Sequence, residues 1–148
     1  MANILTTLIQ RQKNAYSARR TALWERQPSG EWTPITWGEL SEAASKVARA
    51  LEILGVKEEE RVAVFSPNDP KILATDFGCF ANRAVTVSIY ATSSEEQVEY
   101  IVRDSGAGII FVGTRAQYET ARKVAAKLPT LTQIVVYDEI ETDADDKS

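Results

Sequence analysis

The stretch "IYATSS", residues 89–94, gathers hydroxyl groups where an apolar run gives way to an amphipathic one. Two kinds of chemistry fit those residue types. Tyr90 and Thr92 can line a pocket for a small ligand at the end of a strand, which makes them the candidate substrate-binding residues. Ser93 or Ser94 can instead cap the next helix by accepting its first backbone N–H groups, worth about 1 kcal/mol. Other catalytic readings are sharply limited, because the chain has no histidine. Ser/His/Asp triads, Cys/His pairs and the usual zinc sites all need imidazole. The single cysteine, Cys79, stands between Gly78 and Phe80 on an apolar run with no cation beside it to lower its pKa, and reads as a small core residue. No residue is assigned a catalytic or metal-ligating role.

Several short motifs dissolve on inspection. Gly108 and Gly113 have the spacing of a phosphate-binding loop, but the residues between them are strand-like and no lysine follows. "GAG" at 106–108 precedes a strand, whereas a dinucleotide fingerprint follows one. "DFG" at 76–78 lacks the glycine-rich loop, strand lysine and catalytic-loop histidine that would make it a kinase magnesium motif. Asp138 and Glu139 are too isolated for a phosphoacceptor cluster. The segment from Asp138 to Ser148 lacks the alternating ligands, central glycine and terminal glutamate of a calcium loop.

The elements that must position Tyr90 and Thr92 follow from periodicity. Residues 4–17 suit a first helix with Ile4, Leu5, Leu8 and Ile9 on one side. "TALWERQ" and "EWTPI" flank a "PSG" turn and read as a hairpin. The next helix opens with Thr36 and Glu39 at capping-box spacing, carries Leu40, Ala43, Ala44, Val47, Ala48, Leu51 and Leu54 on one face, and stops at Gly55. "RVAVFS", "AVTVSIY", "GIIFV" and "QIVVY" are apolar strands. The helices between them begin at Pro70 after an Asn68 or Asp69 cap, at the Ser93-x-x-Glu96 pattern, and after Thr114 with Gln117 three positions on. Apolar strands alternating with helices predict an open, mostly parallel α/β sheet with helices on both faces. Ligands then belong at the carboxyl ends of the strands, which read "FSPND", "IYATSS", "FVGTR" and "VYDE".

At 148 residues and 44% hydrophobic, the chain can bury a core. Its 17 basic against 21 acidic residues argue against nucleic acid as a partner. No window reaches the roughly 18 apolar residues of a membrane span, and the N-terminus lacks the pattern of a signal peptide, so a cytoplasmic location is expected. Residues 1–138 are expected to form the α/β part, and 139–148 an acidic, disordered tail.

One longer pattern adds what these motifs do not. "TW.EL" opening the long helix, "ALEILGVKEEERVAVFSPN", the "IY.T" strand exit, "EEQVEYIVRDS" and the "IIFV" after it run in one register over about residues 5–138. This order resembles the N-terminal part of adenylate-forming, AMP-binding enzymes of the acyl-CoA synthetase family, above all the long-chain fatty-acid CoA ligases. The resemblance implies a parent acid-thiol ligase that uses ATP, magnesium and CoA on a long-chain fatty acid. It departs from the family pattern at Ser88 and Ala91, positions often occupied by proline, which loosens the expected strand exit. It also lacks the family's Ser/Thr/Gly-rich loop with its lysine, the aromatic-Gly-x-Thr-Glu motif, the ribose aspartate and the C-terminal lysine. The chain is therefore expected to be an N-terminal fragment, inactive alone, with no cofactor bound.

The alternative is a stand-alone, non-enzymatic α/β binding or interaction module; a flavodoxin-like nucleotide binder is a third reading. Arg11, Lys13, Arg19 and Arg20 follow the apolar residues of the first helix, so that helix could rest on a membrane as a peripheral contact. Its short apolar face suits packing onto the domain, or onto a second copy in a homodimer, better.

Overall fold

Capping contacts decide where the helices begin. The computed structural model describes residues 4–138; the expected acidic tail at 139–148 lies outside the described residues. The order is α1 (Ile4–Tyr16), β1 (Thr21–Arg26), β2 (Trp32–Thr36), α2 (Trp37–Ile53), β3 (Arg61–Phe65), α3 (Pro70–Ala81), β4 (Val85–Ile89), α4 (Glu95–Ser105), β5 (Ile109–Val112), α5 (Arg115–Lys127) and β6 (Gln133–Val136). Thr36 caps α2 in the expected box: its Oγ1 accepts from the Glu39 N–H at 3.2 Å, and the Glu39 carboxylate accepts from the Thr36 N–H at 2.8 Å. These bonds hold the Glu39 carboxyl below the usual carboxylate range. Asp69 caps α3, with Pro70 at its first position.

Among the described residues the chain forms two compact units. One comprises 4–60 and 68–86, the other 61–67 and 87–138. In the first, the antiparallel hairpin β1–β2 pairs Leu23 with Ile35, and both pack on a core of Ile9, Leu40 and Ala74. Ile9 thus carries the buried face of α1, while Ile4 and Leu5 remain 63% and 45% exposed. Leu54, expected on the inner face of α2, is exposed beyond the helix end. Helices α2 and α3 approach closely at Gly78, where an added Cβ would stand 2.6 Å from Val47 Cγ1 and 3.0 Å from the Ala48 nitrogen.

The second unit is built on the sheet β4-β3-β5-β6. Strand β3 runs parallel to β5, with Val62 opposite Ile109 and Phe65 opposite Val112, and β5 runs parallel to β6. One face, bearing Ala63, Phe65, Ile89, Ile110 and Val112, packs on Val98 and Val102 of α4 and on Ala121, Val124 and Leu128 of α5. The other face bears Val62, Val64, Ile109 and Phe111, which are also buried. Apolar residues on both faces are what a covered parallel sheet requires. Strand β4 differs from expectation. It is an edge strand with Val85 46% exposed and Ser88 exposed, and only Ile89 buried. Lys127 ties the two helices by ion pairs to Glu95 at 2.7 Å and Glu99 at 3.1 Å. No helix among the described residues is long and apolar enough to cross a membrane.

Candidate functional site

The carboxyl ends of β3 and β5 meet in the second unit through backbone and small side chains. At the β3 end Ser66 is 8% exposed, and its Oγ donates to the Pro67 carbonyl at 2.9 Å. Beside it the Gly113 N–H donates to the Phe65 carbonyl at 3.2 Å, continuing the β3–β5 ladder past Val112. Glycine is required there by proximity: an added Cβ would lie 2.2 Å from Ser66 Oγ, 2.9 Å from Ser66 Cβ and 3.0 Å from Pro67 Cδ. At the β6 end the Tyr137 N–H donates to the Val112 carbonyl at 3.1 Å, and the Tyr137 ring tilts over Phe111 with centroids 5.7 Å apart.

The β4 end carries the candidate residues. Ile89 is buried, and the chain then turns outward, leaving Tyr90 87% exposed and Thr92 exposed. The Ser93 N–H closes this turn on the Tyr90 carbonyl at 2.9 Å. The cap of α4 is consequently Ser94, one residue later than the Ser93-x-x-Glu96 pattern proposed. Ser94 Oγ accepts from the Gln97 N–H, and the Gln97 side chain accepts from the Ser94 N–H at 2.9 Å, a complete capping box. Ser94 Oγ also donates to the Glu96 carboxylate at 2.8 Å. Glu96, bonded by its own backbone N–H and by Ser94, sits below the usual carboxylate range. Hydroxyls and carboxylates therefore already satisfy this helix start.

Sequence reasoning missed Gln117. Its spacing from Thr114 suggested a further capping box, and half of one forms: Thr114 Oγ1 accepts from the Gln117 N–H at 3.2 Å. The Gln117 side chain goes elsewhere. Buried to 4% exposure, it accepts from the Gly113 N–H at 3.2 Å and donates to the Ala91 carbonyl at 3.3 Å. No local pattern announces a bond that joins α5 to the turn after β4. An open cleft in the first unit, of about 560 Å³ and bordered by the exposed Trp24, Trp32 and Leu73, was also absent from the sequence reading.

Cys79 and the "DFG" run at 76–78 both lie in α3. Cys79 is fully buried, and burial together with the nearby Asp76 carboxylate pushes its thiol up to about 12, far from thiolate chemistry at neutral pH. Asp76 of the "DFG" run has its own carboxyl held above the ordinary range by burial, partly offset by a hydrogen bond with Thr86. Its Oδ1 is buried without a hydrogen-bond partner. Among the described residues no group of three or more acidic or cysteine side chains could hold a metal ion.

What this frame belongs to is decided by comparison with known proteins. The sequence pattern described as AMP-binding enzyme matches residues 9–148. The chain belongs to the AMP-binding enzyme family. Within it, the chain is 32% identical over 113 residues to the long-chain-fatty-acid–CoA ligase FadD15 of Mycobacterium tuberculosis, covering 76% of this chain and 19% of that protein. It is 31% identical over 109 residues to the long-chain-fatty-acid–CoA ligase ACSBG1 of Homo sapiens, covering 74% and 15%. The chain thus spans less than a fifth of these relatives. The anthranilate CoA ligase AuaEII, solved with anthranoyl-AMP, superposes with a TM-score of 0.79 at 26% identity, over 89% of this chain and 24% of that one. The N-terminal domain of FACL13 from Mycobacterium tuberculosis matches with a TM-score of 0.78 at 20% identity, over 99% and 40%, which establishes the α/β fold.

Proposed function

We propose that this chain of the AMP-binding family is the N-terminal α/β part of a long-chain fatty-acid CoA ligase. The observation that carries the reading is the continuous similarity over more than a hundred residues to proteins named as long-chain ligases. In the parent reaction a fatty-acid carboxylate oxygen attacks the α-phosphorus of ATP and pyrophosphate leaves. The CoA thiol, giving up its proton, then attacks the acyl carbon and AMP leaves. The described residues of this chain supply scaffold to that chemistry, with Tyr90 and Thr92 walling the acyl or adenylate pocket from the end of β4. The metal-assisted step is not assigned to them.

Residues 1–138 act as the α/β subdomain of a cytoplasmic enzyme. Peripheral contact with a bilayer would have to use Ile4 and Leu5, because Ile9 is committed to the core. Equal recovery with vesicles for the chain with and without residues 1–18 would remove the membrane contact. The main test is pyrophosphate release by the purified 148-residue chain with ATP and a long-chain fatty acid. None is expected, and release above background would overturn the assignment of a scaffold role. Reading the coding sequence beyond Ser148 tests the parent: a Ser/Thr/Gly-rich loop ending in lysine supports it, and a stop codon sinks it.

A further inference from the structure

Tyr90–Thr92 leaves the sheet from an edge strand, so a neighbouring strand is available on one side only. Ala91 does not fix φ as a proline would. A side chain elsewhere must restrain it. The Gln117 amide does so from the first turn of α5, accepting from Gly113 at the β5 exit and donating to Ala91 at the β4 exit. Both halves of the amide are used, as burial to 4% exposure demands of such a group. The Gly113 N–H is shared with the Phe65 carbonyl, so the amide also registers the β3 exit. Its own backbone is pinned by Thr114 Oγ1.

We propose that Gln117 is a positioning residue, a buried amide clamp that fixes the Tyr90–Thr92 wall against the ends of β3 and β5. The clamp stands on geometry alone; its use in shaping a ligand pocket rests on the ligase reading above.

The test compares amide hydrogen-exchange protection in the parent chain, Gln117→Met and Gln117→Glu. Methionine fills similar space without donating to Ala91. Protection of Ser93, whose N–H closes the turn, is expected to fall by about tenfold in Gln117→Met, while Val98 and Val102 in the core change by less than about twofold. Gln117→Glu keeps an acceptor for Gly113 but, ionised, has no donor for Ala91. It should loosen Ser93 while sparing Gly113, and recover Ser93 protection as the pH falls and the carboxyl regains a proton. Unchanged Ser93 protection, or an equal loss at Ser93, Val98 and Val102, would refute the clamp. Should Gln117→Met not fold, the pH-dependent recovery in Gln117→Glu decides the matter. In a longer ligase, Gln117→Met is expected to raise KM for the fatty acid more than it lowers kcat. A loosened Ser93 with an unchanged KM would keep the clamp and remove the pocket wall.

Discussion

Replacing Gly113 with alanine tests the close meeting of β3 and β5 directly. The new methyl group would arrive 2.9 Å from Ser66 Cβ and 3.0 Å from Pro67 Cδ, where carbon atoms normally keep about 3.5–4.0 Å. Ser66 Oγ, at 2.2 Å, can rotate away only by abandoning its bond to the Pro67 carbonyl. The Cβ contacts offer no such escape, because both are fixed to backbone. Overpacking of this kind costs about 1–3 kcal/mol. With a urea m-value of about 2 kcal/mol/M, the unfolding midpoint of Gly113→Ala should fall by about 0.5–1.5 M with m unchanged. The control is Ser66→Gly, which removes two of the three crowding atoms. In that background the penalty should shrink by at least half, leaving the Pro67 contact. Unfolding followed by far-ultraviolet circular dichroism gives all four corners of the cycle. A Gly113→Ala midpoint equal to the parent's, or a penalty of the same size in both backgrounds, would show that the strand exits do not meet as described.

Two further predictions concern a cap and a buried charge. Ser94→Ala should lose about 1 kcal/mol of stability through the broken capping box, whereas Ser93→Ala should not, a contrast read from paired urea midpoints. Asp76 binds its proton more tightly folded than unfolded, so stability falls as pH rises from its ordinary 3.8 through its raised folded value, and the cost persists above it. Asp76→Asn should therefore exceed the parent in stability at pH 7, by a margin that narrows towards pH 4. A pH-independent margin would mean that ionisation is not the cause.

Local signals were readable where one residue type does one job within a few positions. Thr36 with Glu39, and Pro70 at the first position of α3, were legible for that reason. Ser93 and Ser94 were not separable, because either serine can cap; the choice fell to Ser94 once the Ser93 N–H was consumed by the turn from Tyr90. Edge status was equally hidden. The run "AVTVSIY" is as apolar as an inner strand, and pairing order is a tertiary fact. Tyr90 and Thr92 follow the end of β4, but the Gln117 amide joins residues far apart in sequence, and its spacing from Thr114 read only as a helix start.

The path of β3 has a consequence for synthesis. Val62, Ala63, Val64 and Phe65 are each made 47 residues before their partners in Ile109–Val112, which fill one of their hydrogen-bonding edges. At about 5–20 residues per second, the ribosome leaves that apolar edge open for several seconds. The run is short, and Lys57, Glu58, Glu59, Glu60 and Arg61 stand immediately before it. Charges beside an unavoidable sticky strand act as gatekeepers against pairing between nascent chains. Stripping them would change the yield of soluble protein more than the stability of whatever folds.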